Sequence, residues 1–450
     1  MNKRFNFARS AVAMSLAGLA AASYAIDLAG SYERARAVDP TLLAAQQALL
    51  AGREKAVQGR ALLLPQVSLA ASVARVDERT SGGAELPDTS TSGSQSGRAS
   101  QIGVQLAQPI YNLKARAEKR QLEQQTGLAE VRHRDAEQEL IQRVGETYFN
   151  VLLAQETLRV VQAEQAAVKL QRDRAQARFD VGRGKITDVQ ETQARLDVVA
   201  SREVSARSTL ALRQTQYREL TGVEAEGLAP LRAGFVPQAP QPLDLSHWQS
   251  RGSDSNTRVQ LRRGELAIAV AEIAKYKLDA RPTLDLVASY TYKGQSSGLS
   301  TPISPDSSRS AVIGVQLSVP LYTGGAIDSR QRESIAKKSQ AEQELGEALR
   351  DMRVQVQDAY LTVHSGVTRI GALEQSVRSA QTALEATTLG RDLGTRTELD
   401  VLDAQQRVYT AQLDLAQARN DYLLGRFRLA SAAGELQESD LRALNAYLSN

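Results

Sequence analysis

The 450-residue sequence contains no cysteine. This absence excludes an acyl anchor on an N-terminal cysteine, and it suits an oxidising compartment. Beyond residue 25 the chain also lacks an apolar run close to the roughly 20 residues that a membrane-spanning helix needs. Aromatic residues make up only 4% of the chain, whereas alanine, leucine, valine and glutamine are abundant. Such a composition is typical of closely packed helices.

An excess of charge of one sign is also missing. The 55 basic and 51 acidic residues are interspersed and leave a net charge of only +4, so no basic stripe is available for nucleic acid. The three histidines, His133, His247 and His364, lack the spacing of metal ligands. No nucleophile elbow, catalytic carboxylate pair or dinucleotide fingerprint stands in a suitable context. We therefore predict that the protein is not an enzyme and uses no cofactor or metal.

The first 25 residues have the pattern of a secretory signal peptide. Basic residues at positions 3, 4 and 9 precede a short apolar stretch at 11–22, and small residues at 23–25 offer a cleavage site. The stretch is too short, and wrongly flanked, for a membrane helix. We predict that residues 1–25 are removed and that the mature protein leaves the cytoplasm.

Proline is absent from two long stretches. All 12 prolines fall within residues 40–109, 230–242 and 282–320. Because proline inside a helix costs roughly 3 kcal/mol, helices can run long in residues 110–229 and 321–450. Apolar residues recur there every three or four positions, as in a coiled coil. Each stretch is broken once, at a glycine-bearing turn near 180–187 or 390–397, which predicts two long helical hairpins.

The proline-flanked segments alternate apolar and polar residues with a period of two. This pattern predicts strands at about 66–76, 100–108, 283–293 and 310–319, paired as two hairpins with polar loops at 81–98 and 294–310. Strands of roughly ten residues cross a bilayer when tilted. Four strands cannot close a barrel, for which about eight is the minimum, and open edges in lipid are prohibitively costly. If these strands span a membrane, several chains must pool them. The alternative is a soluble periplasmic coiled-coil scaffold without channel activity.

The two halves of the chain repeat each other. The segment Ile102–Leu106 (IGVQL) returns unchanged as Ile313–Leu317, an offset of 211 residues, and Tyr148 corresponds to Tyr360 at an offset of 212. A period of this length indicates one large structural unit that has been duplicated. We place the first repeat, with an N-terminal helix, at 26–225, a linker at 226–262, the second repeat at 263–434 and a C-terminal tail at 435–450.

The chain resembles the TolC-family outer membrane factors. The resemblance lies in short segments spread in order over nearly the whole mature chain: 63–66 (LLPQ), 178–182 (RFDVG), 186–190 (ITDVQ), 320–325 (PLYTGG), 394–397 (GTRT) and 400–404 (DVLDA). It implies a mainly α protein with a membrane β-barrel, in which a homotrimer forms a 12-stranded barrel in outer-membrane lipid and an α-helical tunnel in the periplasm. It also implies an exit duct for efflux or type I secretion that docks to a periplasmic adaptor and an inner-membrane transporter. The linker and the C-terminal tail resemble the family's equatorial belt.

The resemblance also implies a gate at the hairpin tips. Asp400 and Asp403 match the family's periplasmic aspartate ring, and three apart on a helix they share one face. From the pattern alone, an exposed acidic helix start is the better explanation of both residues, and only the resemblance favours the ring. Asp188 and Arg396 match a carboxylate and an arginine that pair between hairpins.

Further tip residues follow from the same resemblance. Thr187 lies beside Asp188, and Arg391 stands where the family uses a tyrosine in the constriction. The expected adaptor contacts at the tips are Val181, Gly182, Leu393, Gly394 and Thr395.

Overall fold

The fold was obtained as a computed structural model, which describes residues 26–80, 93–232, 234–296, 299 and 306–449. The predicted signal peptide lies outside the described residues. The elements, in chain order, are α1 (Leu28–Val38), α2 (Pro40–Ala61), β1 (Gln66–Thr80), β2 (Gly93–Tyr111), α3 (Leu113–Asp180), α4 (Ile186–Thr221), α5 (Leu245–Ser255), α6 (Thr257–Asp279), β3 (Thr283–Gln295), β4 (Ser307–Ser318), α7 (Ala326–Asp392), α8 (Glu398–Ala432) and α9 (Glu438–Asn445).

The two proline-free stretches each form a helical hairpin. Helix α3 has 68 residues and α7 has 67, so each extends about 100 Å at 1.5 Å per residue. Helix α3 starts where the Asn112 side chain accepts a hydrogen bond from the Ala115 amide at 2.8 Å. Within the described part of the chain, no helix combines the length and the apolarity needed to cross a membrane.

The four strands form one antiparallel sheet in the order β1-β2-β3-β4. Strands β2 and β3, from different repeats, pair directly, so the two hairpins are continuous within one chain. Strands β1 and β4 lie at the edges. The apolar side chains of β1 are bare in the single chain, with Val67, Leu69 and Val73 exposed by 65%, 68% and 76%. The same holds for Ile313, Val315 and Leu317 of β4. One protomer therefore leaves both its edges and its apolar sheet face uncovered.

The first strand pair is longer than the sequence pattern predicted. Residues 93–98, predicted as part of a polar loop, belong to β2, and they pair with residues 75–80 of β1. Sheet ladders use main-chain groups, which every residue except proline supplies in full, so serine and glycine continue the ladder beyond the apolar segment. In the second pair, β4 likewise begins at Ser307, inside the predicted loop 294–310.

The connection between the repeats contains helices that the sequence pattern did not predict. Helix α5 lies within the predicted linker, and α6 begins at Thr257, ahead of the expected repeat boundary at 263. The Asn256 side chain sets this start, because it accepts a hydrogen bond from the Val259 amide at 3.1 Å. Helix α6 leads into β3 as α2 leads into β1. The predicted C-terminal tail contains α9.

The buried aromatic residues of the main core form a cluster at one level of the molecule. Tyr148 and Phe149 of α3 meet edge to face at 5.6 Å, and Phe149 lies 6.2 Å from Phe427 of α8. Phe235 of the linker packs against Tyr422 at 5.7 Å. The hydroxyl groups of these tyrosines hold the linker, since Tyr148 donates to the Ala229 carbonyl and Tyr422 to the Gln238 carbonyl. We call this level the equator. It is the main hydrophobic core.

Candidate gate at the hairpin tips

Both hairpins turn at a glycine with a left-handed backbone. Gly182 has φ of +75° and Gly394 has φ of +78°, the positive φ expected for these turns. A Cβ atom at either position would meet nothing within 4 Å. The glycines are therefore required by the backbone conformation and not by crowding.

The side chains expected to contact an adaptor stand at the free ends of the hairpins. Val181 and Leu393 are exposed by 70% and 72%. Thr395 closes the second turn, because its amide and its hydroxyl group both donate to the Gly390 carbonyl, at 2.8 and 2.9 Å. The two tips thus present apolar side chains on tightly hydrogen-bonded turns.

Asp400 is part of a capping box at the start of α8. Its carboxylate accepts hydrogen bonds from the amide and the hydroxyl group of Thr397 at 2.8 and 2.9 Å, and its own amide donates to the Thr397 hydroxyl at 3.2 Å. These hydrogen bonds, with the nearby charge of Arg396, lower the pKa of Asp400. Its role as an acidic helix start is therefore present in the single chain.

Leu402 ties the two predicted ring residues to the first hairpin. It is buried in a small apolar cluster with Val161, Val168 and Val199 of α3 and α4. Asp403, the next residue, is exposed. Because Leu402 is anchored between them, Asp400 and Asp403 are held at a defined place relative to the first hairpin.

Asp188 and Arg396 are not brought together within one protomer. Asp188 is half-buried in the first turn of α4, and both Thr187 and Arg396 are exposed. No ion pair of the described residues joins Asp188 to Arg396. The pairing of Asp188 with Arg396 between hairpins, implied by the resemblance, is not made within this single chain and stays a prediction.

Arg391 takes part in ion pairs within the protomer. Its guanidinium group donates to Asp392 at 2.7 Å, to Glu398 at 3.2 Å and to the side-chain carbonyl of Gln171 on α3 at 3.3 Å. Burial alone would lower the pKa of Arg391, but the Asp392 and Glu398 carboxylates raise it. Arg391 is thus fully charged and connects α7 to α3.

The sequence pattern did not single out Glu398, Arg178 and Gln171. Glu398 accepts from Arg391 and, through its other oxygen, from Arg178 of α3 at 3.2 Å. A signal was available, because buried positions of α8 at spacings of three and four include an acid: Glu398, Val401, Leu402, Gln405 and Val408. An acid on the buried stripe of a helix requires a partner.

The described ranges contain no group of three or more histidine, aspartate or glutamate side chains placed to hold a metal ion.

Comparisons with known proteins identify the family to which this architecture belongs. The model of the family described as outer membrane efflux protein matches residues 31–223 and 253–435. The chain is 33% identical to outer membrane protein TolC of Vibrio cholerae over 442 residues, 97% of each chain. It is 31% identical to the alkaline protease secretion protein AprF of Pseudomonas aeruginosa, over 94% of this chain and 88% of AprF. The CmeC outer membrane channel of Campylobacter jejuni superposes with a TM-score of 0.77 at 17% identity, over 94% of this chain and 90% of CmeC.

A long helical double hairpin joined to an open sheet is the subunit of an outer-membrane channel-tunnel, mainly α with a β-barrel part that assembles from several chains. The chain belongs to the outer membrane efflux protein family. It is an exit duct for efflux and type I secretion, located in the outer membrane and extending into the periplasm.

Proposed function

We propose that three copies of this chain form one duct, passive in transport and without enzymatic activity. The three sheets combine into a 12-stranded barrel, and the helical hairpins combine into a tunnel. The linker 226–262 and the tail 435–450 form a belt at the equator. A periplasmic adaptor and an inner-membrane transporter engage the tips and open them.

The uncovered sheet carries this proposal. In lipid an unpaired main-chain group costs several kcal/mol, so the edges of β1 and β4 must pair with another sheet. The β1 and β4 edges of neighbouring copies supply that pairing. The bare apolar residues of β1 and β4 then form the lipid-facing band.

The gate of the proposed duct lies at the tips. In a trimer, Asp400 and Asp403 contribute six carboxylates, a ring that attracts cations. Asp188, Thr187, Arg391 and Arg396 supply links that keep the tips together. A single exposed pair contributes only about 0–1 kcal/mol, so closure depends on several links, and a partner of modest affinity can release them.

Detergent-extracted protein, examined for mass and for channel formation, tests the proposal. We expect a complex of three chains, found in the outer-membrane fraction, that inserts into planar bilayers and conducts at a low, partly closed level. A charged substitution on the bare face, Leu69→Arg, should impair insertion, since a basic residue in the lipid-facing band costs roughly 2–4 kcal/mol. Val198→Arg, at an exposed valine of α4 outside the sheet, is the control and should insert normally.

The alternative function predicts different results. A soluble periplasmic scaffold would be released as a monomer by osmotic shock, and it would produce no channel current in planar bilayers. Leu69→Arg would then behave like Val198→Arg. Any of these results would refute the duct.

A further inference from the structure

The two hairpins of one protomer are joined near their tips by a buried carboxylate. Glu398 starts α8, and each of its two oxygens accepts a hydrogen bond from a different arginine. Oε1 accepts from Arg391 at the end of α7, and Oε2 accepts from Arg178 at the end of α3, both at 3.2 Å. We call Glu398, Arg178, Arg391 and Gln171 the Glu398 latch.

The latch connects the first hairpin to the second at two points. Arg178 and Gln171 both lie on α3, two turns apart, and they contact Glu398 and Arg391 of the second hairpin. Further from the tips, the Tyr409 hydroxyl of α8 donates to the Ala163 carbonyl of α3 at 3.2 Å. The latch thus lies at the tip end of the contact between α3 and the second hairpin, beyond the apolar cluster around Leu402, and beside the candidate ring residue Asp400.

Burial makes the latch strong while it is closed. The side chains of Glu398 and Arg391 are exposed by only 8% and 7%. Charges withdrawn from water interact more strongly than surface charges, and hydrogen bonds between two charged groups are about twice as strong as neutral ones. Closing the latch therefore fixes the start of α8, and with it Asp400, against α3.

The same groups make the latch releasable. The Arg178 side chain is 46% exposed, so water can replace Glu398 as its partner. Arg391 keeps the Asp392 carboxylate at 2.7 Å when α8 moves away from α3. Neither arginine would be left buried without an acceptor, which is the condition that makes breaking a buried pair costly. A permanent structural ion pair would lack these alternatives.

We propose that Glu398 is a positioning residue of the gate, whose link to Arg178 holds the second hairpin of each protomer in the closed position. This proposal rests on the proposed function as a gated duct. An adaptor that separates the tips would act by parting Glu398 from Arg178. The link lies within a protomer, and it acts in addition to the predicted pairing of Asp188 with Arg396.

Planar-bilayer recordings of four variants test the latch. Glu398→Gln keeps the size of the side chain but replaces one of its two acceptor oxygens by an NH2 donor, so one of the two arginines loses its acceptor. We expect the ratio of open to closed time to rise about tenfold, the effect of losing one charge-assisted hydrogen bond. Arg178→Gln should have a similar effect. The double variant should open no more than the more open single variant, because both changes remove the same link. Glu385→Gln, an exposed acid of α7 without an ion pair in the described structure, should match the wild type.

A second measurement separates positioning from folding. The main core lies at the equator, so heating in detergent should dissociate the Glu398→Gln assembly at the wild-type temperature. Wild-type gating in Glu398→Gln would overturn the latch and leave the duct standing. Additive effects of Glu398→Gln and Arg178→Gln on gating would also overturn the latch. A lower dissociation temperature that explains the altered gating would overturn it as well. If neither the wild type nor any variant conducts, the proposed function fails, and the latch fails with it.

Discussion

The buried hydroxyl group of Tyr148 should determine how firmly the linker is held at the equator. Tyr148 is fully buried, and its hydroxyl group donates to the carbonyls of Ile26 at 3.1 Å and Ala229 at 3.0 Å. The Ala229 amide also donates to the Ile26 carbonyl, at 3.3 Å. Tyr148→Phe removes the donor that the two carbonyls share and fills the same space with a ring. An unsatisfied buried group costs about 1–3 kcal/mol.

Hydrogen exchange measures this cost locally. Each 1.4 kcal/mol changes an equilibrium constant about tenfold, so opening of this contact should become roughly 5- to 150-fold more frequent. Exchange of the Ala229 amide requires that opening. Mass spectrometry of a peptide covering residues 224–232 should therefore show faster exchange in Tyr148→Phe than in the wild type.

The repeat supplies a matched control. Tyr360 is the counterpart of Tyr148, and its hydroxyl group donates to a single carbonyl, that of Leu243 at 2.7 Å. Tyr360→Phe should accelerate exchange near residues 243–248 and leave residues 224–232 unchanged. Equal acceleration of all peptides in both variants would indicate global destabilisation, and unchanged exchange in Tyr148→Phe would show that the hydroxyl group is dispensable. Either result would refute the reasoning.

Two further predictions concern charge. Replacing Asp400 and Asp403 together by asparagine keeps acceptors for the helix cap but removes the ring charge. Block of the channel by a trivalent complex cation should be lost, while Asp414→Asn, an exposed site further along α8, should retain it. Persistent block in the double variant would contradict the ring. At the equator, Asp39 accepts two hydrogen bonds from Arg143, at 3.2 and 2.9 Å. Burial acts to raise the pKa of Asp39, but the bonds from Arg143 and the Leu42 amide lower it below its ordinary 3.8. Its stabilising effect is therefore complete above that value and is lost as pH falls through the lowered pKa. The difference in thermal midpoint between the wild type and Asp39→Asn should stay constant from about pH 5 to 8 and shrink below about pH 4. A difference that did not change with pH would exclude the charge as its cause.

Local rules were sufficient for much of the fold. Proline and glycine act on the local backbone. The absence of proline therefore predicted the long helices α3 and α7, and glycine predicted the turns at Gly182 and Gly394. The prediction of a loop at residues 93–98 was wrong, because side-chain polarity does not show whether the main chain forms hydrogen bonds. The serine-rich start of β2 forms a regular ladder, because main-chain pairing does not depend on side-chain polarity.

The sequence by itself determined that the chain is a duplicated unit of strands and long helical hairpins, and that one copy cannot close its own sheet. The elements follow from periodicity among neighbouring residues, the duplication follows from segments that recur along the chain, and the open sheet follows from the number of strands. Only the tertiary structure decided which of the many charged residues meet. Arg178 and Glu398 are 220 residues apart in the chain, and the Tyr148 hydroxyl group donates to the Ala229 carbonyl, 81 residues away in the linker. Contacts of this kind depend on how segments pack across space, and no local pattern specifies them.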